Sequence, residues 1–126
     1  MKIVIFIAGL YNIGLAIFHI GFWRLFKWKK DLNHLRFENR AIMQILNIQI
    51  IFFFIMVAYI CIEFNDELLT TKLGRAFLTG NAIFWLIRTI QQFIFLRANH
   101  YLIHILTLVF ILGTILFSFP VLSYWF

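Results

Sequence analysis

AFLTGNAIFWLIRTIQQFIFL, residues 76–96, is long and apolar enough to cross a bilayer, yet it carries Arg88, Gln91 and Gln92 within it. An arginine near the centre of a spanning helix costs roughly 2.5–3.5 kcal/mol on insertion scales, so the guanidinium needs a partner. The long apolar runs of this chain contain no Asp or Glu, and Glu38, near the end of one run, is the one acidic candidate. The partner of Arg88 is therefore expected to be Glu38, side-chain amides, helix-end carbonyls or a bound anion.

The composition places the chain in a membrane. Hydrophobic residues make up 63% of its 126 residues and charged residues 13%, against about 45–50% and about 25% in soluble domains. That leaves too little polar surface to cover a water-soluble fold. The net charge of +6 is concentrated in one loop beside apolar runs, where the positive-inside bias explains it. Nucleic acid is therefore not expected as a partner, whereas the lipid bilayer is.

Four apolar runs are each long enough to span a bilayer: residues 3–23, 41–62, 76–96 and 101–124. They predict an all-α integral membrane protein in which four transmembrane helices form an up-down bundle. The sequence shows no linker or repeat, so residues 1–126 are predicted to form a single domain.

The loop at residues 24–40, RLFKWKKDLNHLRFENR, carries six Lys or Arg against one Asp and one Glu. Loops of this kind are typical of the cytoplasmic side, which predicts that both chain termini lie outside (N-out/C-out). We expect the location to be the cytoplasmic (inner) membrane of a bacterium. An amphipathic interfacial segment is predicted by apolar residues at helical spacing, with a solvated loop attracted to anionic lipid as the alternative: Leu25, Trp28, Leu32 and Leu35.

Polar residues recur at helical spacing on all four predicted spans. Polar side chains in a bilayer face the bundle interior, and a helix rises 1.5 Å per residue, so those near the cytoplasmic end are expected to form one layer. This layer predicts an inward-facing pocket lined by His19, Arg40, Gln44, Asn47, Arg88, Gln91, Gln92 and His104. Interhelical hydrogen bonding alone, worth about 0.6 kcal/mol on average, is the alternative explanation for the amides.

The pocket predicts binding of the anionic head of a lipid-like or amphiphilic molecule. Whether the protein also acts on that molecule stays open, with His19 and His104 as the candidate catalytic acids or bases. The competing hypothesis is an accessory or structural subunit of a larger membrane complex, or a homo-oligomer, whose polar layer only locks the helices together.

The histidines suggest two further alternatives. His19 and His104 lie at similar predicted depth and could ligate a b-type haem. Alternatively, His100 and His104, four residues apart, could bind a metal ion with His34 or His19 as a third ligand. The absence of carboxylates from the apolar runs disfavours proton-coupled transporters, di-iron bundles and zinc proteases. The sequence also contains no H-E-x-x-H, C-x-x-C, G-x-G-x-x-G or P-loop motif.

Two short stretches carry a resemblance of layout to a known family. Arg40-Ala41-x-x-Gln44 opens the second predicted helix, and Arg88 precedes Phe95 and Arg97 near the end of the third. With the basic first loop, this arrangement resembles the MAPEG family of four-helix membrane enzymes, in which arginines hold glutathione in a trimer. The resemblance implies a transferase, with Arg40, Gln44 and Arg88 as the carried-over positions. The sequence departs from the family pattern where Gln44 replaces an asparagine, Asn47 an acidic residue and Phe95 an expected tyrosine.

Overall fold

The computed structural model describes residues 1–96 and 101–125, with side chains described for 1–96 and 101–123. Within those ranges the chain is helical and contains no strand, which confirms the predicted all-α class. The elements are α1 (Lys2–Ile20), α2 (Phe22–Leu25), α3 (Trp28–Asp31), a 3₁₀ turn (Leu32–His34), α4 (Phe37–Glu63), α5 (Asn65–Thr70), α6 (Lys72–Phe95) and α7 (Tyr101–Trp125).

Three described helices are long and apolar enough to cross a membrane: Lys2–Ile20, Phe37–Glu63 and Tyr101–Ser123. They match three of the predicted spans and suit contact with a lipid bilayer. The fourth predicted span, residues 76–96, lies in α6, a 24-residue helix. Within that stretch, Asn81, Arg88, Gln91 and Gln92 make α6 less apolar, and it is not among the three. The four-span bundle therefore stays a prediction.

The described chain forms two compact units. The amino-terminal unit comprises Gly9–Ile60, and the carboxyl-terminal unit comprises Cys61–Phe126 together with Met1–Ala8. The first therefore holds most of α1, the basic loop and most of α4, while the second holds α5, α6, α7 and the start of α1.

In the carboxyl-terminal unit, α5 and α6 meet at a tight corner. The Thr71 hydroxyl caps α6 by accepting a hydrogen bond of 3.0 Å from the Gly74 amide. Gly74 is buried so closely against α5 that a Cβ there would lie 2.5 Å from the Leu68 carbonyl oxygen. The start of α1 joins the same corner, where Lys2 Nζ lies 2.6 Å from Asp66 Oδ1.

In the amino-terminal unit, the basic loop is not one continuous helix. Lys27, between α2 and α3, has φ 52° and ψ 46°, the left-handed conformation that breaks the helical path. The reversal brings Trp28 back against Trp23, with ring centroids 5.2 Å apart. The predicted amphipathic segment is thus two short helices and a 3₁₀ turn, in which Leu32 is buried while Leu25 is exposed.

Candidate functional site

Arg88 lies over an aromatic ring. Its guanidinium carbon is 4.4 Å from the centroid of Phe110 on α7. Phe110 is itself buried, with 6% of its surface exposed, and it stacks on Trp85 of α6. A cation over an aromatic face gains about 0.5–1 kcal/mol at exposed sites and about 2 kcal/mol when desolvated. The ring therefore fixes the position of the guanidinium and attracts its charge.

The ring leaves the hydrogen-bonding capacity of Arg88 unused. A guanidinium carries five N–H donors and stays charged in proteins, and an aromatic face offers it no conventional acceptor atom. Among the described residues, Arg88 makes no ion pair and donates no hydrogen bond. The side chain is only partly buried, so its donors stay accessible to a ligand.

Gln92, one helical turn beyond Arg88, joins α6 to α7. It is only 1% exposed, and its Nε2 donates a hydrogen bond of 3.2 Å to the Ile103 carbonyl oxygen. Its Oε1 is buried and has no hydrogen-bond partner within the described ranges. The Nε2 atom of Gln92 therefore links the two helices by a hydrogen bond, while its Oε1 atom remains able to accept one.

The remaining predicted pocket residues of this unit lie differently from the expectation. Gln91 and His104, both expected on the inward face, are exposed. Gln91 is adjacent in sequence to buried Gln92, and the two side chains point about 100° apart on a helix, so only one of them lies on the packed face. His100 falls outside the described residues.

The other half of the predicted pocket lies in the amino-terminal unit. His19 Nδ1 is 2.8 Å from the Leu15 carbonyl oxygen, and its ring stacks on Phe22 with centroids 4.4 Å apart. Asn47 is buried and donates from Nδ2 to the His19 carbonyl oxygen at 2.9 Å. The His19 ring also lies 5.2 Å, centroid to centroid, from the ring of Phe54 on α4, so both side chains hold α1 against α4.

Arg40 and Gln44 line a cavity of the amino-terminal unit with residues of the basic loop. Sequence reasoning had not assigned those loop residues to a binding site. The signal that could have found them is the interleaving of Trp23 and Trp28 with Arg24 and Lys29.

Neither histidine-based cofactor gains support from the geometry. Within the residues that the structure describes, no group of three or more His, Cys, Asp or Glu side chains is arranged to hold a metal ion. The ring of His19 is occupied with packing contacts to Phe22 and Phe54. Haem and metal binding therefore stay sequence-based hypotheses.

Comparison with protein-family models, with curated proteins and with solved structures finds no match for this chain. The resemblance of layout to the MAPEG family thus gains no support from relatives. The function has to be argued from the geometry, in which the cation of Arg88, held on a buried ring without an anionic partner in the described chain, is the most unusual feature.

Proposed function

We propose that this protein is a small integral membrane protein that binds the anionic head of a lipid-like or amphiphilic molecule at Arg88. The observation that carries this proposal is the position of the guanidinium, 4.4 Å over the Phe110 ring, with no carboxylate or hydrogen-bond acceptor bound to it among the described residues. A charge in surroundings of low dielectric constant attracts a counter-ion much more strongly than it does in water. An anionic head group would complete the hydrogen bonding that the protein leaves open.

The same proposal accounts for the weak apolarity of α6. If α6 is the fourth span, Arg88 costs roughly 2.5–3.5 kcal/mol on insertion scales, and a bound anion would offset much of that cost. The basic loop before α4 supports a cytoplasmic position for that end of the helices, with both termini outside and the bilayer being a bacterial inner membrane.

An acyl chain attached to the anion has an apolar surface to follow. Ile87, Ile90 and Ile94 form a stripe along α6 beside Arg88, and each is at least half exposed, at 50%, 50% and 55%. In a bilayer this stripe contacts hydrocarbon. An amphiphile with a single charged head and an apolar tail therefore fits better than a wholly polar anion.

The second candidate function is that of an accessory subunit, or of one protomer in a homo-oligomer. The observation that favours it is the exposure of Gln91 on α6, because a glutamine that faces lipid lacks hydrogen-bond partners. In that case a helix of the neighbouring subunit would cover Gln91, and an Asp or Glu on that helix would neutralise Arg88.

The test compares oleate with oleyl alcohol, which have the same tail and differ in the charge of the head. Binding of each to the full chain in detergent micelles is measured by native mass spectrometry for the wild type, Arg88→Leu and Arg36→Leu. Arg36 is an exposed arginine of the basic loop, so its variant removes the same charge without touching the site. Oleate is expected to bind more tightly than the alcohol, and only Arg88→Leu should abolish the difference.

Two results would count against this proposal. A folded Arg88→Leu variant that still prefers oleate would show that Arg88 does not hold the anion. If instead Arg88→Leu dissociates an oligomer or a co-purifying membrane protein, and the wild type shows no preference for oleate, then the accessory role is supported.

A further inference from the structure

A cavity of about 470 Å³ opens in the amino-terminal unit, where α2, α3 and the 3₁₀ turn meet the first turns of α4. Its lining combines aromatic, basic and amide side chains: Trp23, Arg24, Trp28, Lys29, Leu32, Asn33, Arg40 and Gln44. Small-molecule sites have volumes of about 300–1,000 Å³. The volume of the cavity therefore lies within the range of small-molecule sites.

Hydrogen bonds and ring contacts give the cavity a defined wall. The indole of Trp23 donates from Nε1 to Gln44 Oε1 at 3.4 Å, and it meets Trp28 edge to face with centroids 5.2 Å apart. The other end of the Gln44 amide donates to the Arg40 carbonyl oxygen at 3.2 Å. Asn33 Nδ2 donates to the Lys29 carbonyl oxygen at 2.9 Å, a bond that joins the 3₁₀ turn to α3.

The charge of the lining is entirely positive. Arg24, Lys29 and Arg40 contribute three cations, and no Asp or Glu is among the lining residues. None of the three cations forms an ion pair with any described residue. The Arg40 guanidinium carbon lies 5.7 Å from the Phe37 ring, a contact that leaves its N–H donors open. Three neighbouring cations with unused donors favour a ligand that is anionic and rich in acceptors.

The cavity lies where two apolar helices reach the polar loop. It follows α1 and includes the first residues of α4, and both helices are long and apolar enough to cross a membrane. This is the level at which Trp side chains and phospholipid head groups are found. Clusters of Lys and Arg at such positions bind anionic phosphates.

We infer that this cavity binds the phosphate group of an anionic phospholipid, with Arg24, Lys29 and Arg40 as donors and the indoles of Trp23 and Trp28 against the glycerol part. The site does not include Arg88 and goes beyond the function proposed for it. The acyl chains would extend along the apolar surface of the adjoining helices. A soluble phosphate shares the same head chemistry, but it would make no use of the aromatic wall.

Two neighbouring lysines provide a matched test. Lys29 lines the cavity and Lys30 does not, although both are exposed on the same short helix. The full chain in detergent micelles is titrated with phosphatidylglycerol or phosphatidylcholine, and bound lipid is counted by native mass spectrometry. Phosphatidylglycerol is expected to bind preferentially, and Lys29→Gln should weaken it about fivefold, the loss expected for one surface cation. Lys30→Gln should bind as the wild type does.

Competition with inorganic phosphate identifies the source of the ligand. Phosphate is expected not to displace phosphatidylglycerol; displacement at a similar concentration would assign the site to a soluble phosphate and overturn the lipid assignment. Equal losses in Lys29→Gln and Lys30→Gln, or equal binding of the two lipids, would overturn the site itself. Lys29→Gln is expected to keep the preference for oleate over oleyl alcohol that Arg88→Leu abolishes, so failure of the Arg88 proposal and failure of this one give different results.

Discussion

Trp85 on α6 and Phe110 on α7 stack with ring centroids 5.8 Å apart and planes inclined by 19°. Both side chains are buried, so the pair joins the two longest helices of the carboxyl-terminal unit. Arg88 follows Trp85 by three residues and therefore projects from the same side of α6, which places its guanidinium over the Phe110 ring. One aromatic pair thus stabilises the packing of α6 on α7 and positions a cation.

Phe110→Leu is expected to weaken oleate binding about twofold to fivefold, because it removes a cation–π contact of about 0.5–1 kcal/mol that positions Arg88. The matched control is Phe117→Leu on the same helix, where the ring is fully buried and makes no contact with Arg88. Both variants should lower the thermal unfolding temperature. Affinity for oleate in detergent micelles should fall only in Phe110→Leu, and an equal fall in both would remove the positioning role of the ring.

Gln92→Glu introduces a carboxylate one helical turn from Arg88, at a spacing that allows an ion pair. We expect this internal partner to replace the bound anion and to lower oleate affinity by at least about tenfold, since like charges in a shared site repel strongly. Gln92→Met serves as the uncharged control. It should keep the affinity and lose about 0.6–1.7 kcal/mol of stability with the bond to Ile103. Unchanged oleate binding by a folded Gln92→Glu would contradict an anion site at Arg88.

The helical class and the three helices that are long and apolar enough to span a membrane could be predicted, because both depend on local composition. Each apolar run is about as long as a bilayer is thick, and that property needs no tertiary information. The partner of Arg88 was left open between Glu38, side-chain amides, helix-end carbonyls and a bound anion, because the apolar runs at 3–23, 41–62, 76–96 and 101–124 contain no Asp or Glu. The aromatic partner was not predictable. Phe110 lies on another helix and is one of the 17 Phe residues of the chain, so nothing in the sequence marks it as the residue that contacts Arg88.

The inward face of α6 was predicted only in part. Gln91 and Gln92 lie three and four residues after Arg88, so helical spacing places both on the same face as Arg88. Packing against α7 buries only Gln92 of the two. In the basic loop, the break in the helical path was not predicted, for a different reason. Apolar residues recur at helical spacing in this loop, but Lys27, in the left-handed conformation, interrupts the helix. Lysine is not one of the residue types from which such a turn is predicted.

Lys27→Gly is expected to be more stable than Lys27→Ala by about 1 kcal/mol, because the left-handed conformation costs roughly 1–2 kcal/mol for a residue with a Cβ and almost nothing for glycine. Both substitutions remove the same charge, so the comparison isolates the backbone term. Thermal unfolding in detergent micelles, followed by circular dichroism, measures the difference. If Lys27→Ala were the more stable of the two, the turn between α2 and α3 would not require the observed φ of 52°.

Gly74→Ala is expected to destabilise the corner between α5 and α6 by about 1–3 kcal/mol, the usual cost of forcing an extra methyl group into a packed site. The new Cβ would lie 2.5 Å from the Leu68 carbonyl oxygen and 2.6 Å from that of Glu67, and backbone atoms cannot move aside as a flexible side chain can. At Gly80 on the same helix, a Cβ would have no described neighbour within 4 Å, so Gly80→Ala should stabilise α6 by about 0.5–1 kcal/mol through helix propensity. Opposite shifts of the unfolding temperature in the two variants are the expected result. Stabilisation by both would mean that α5 does not approach α6 as closely as the corner requires.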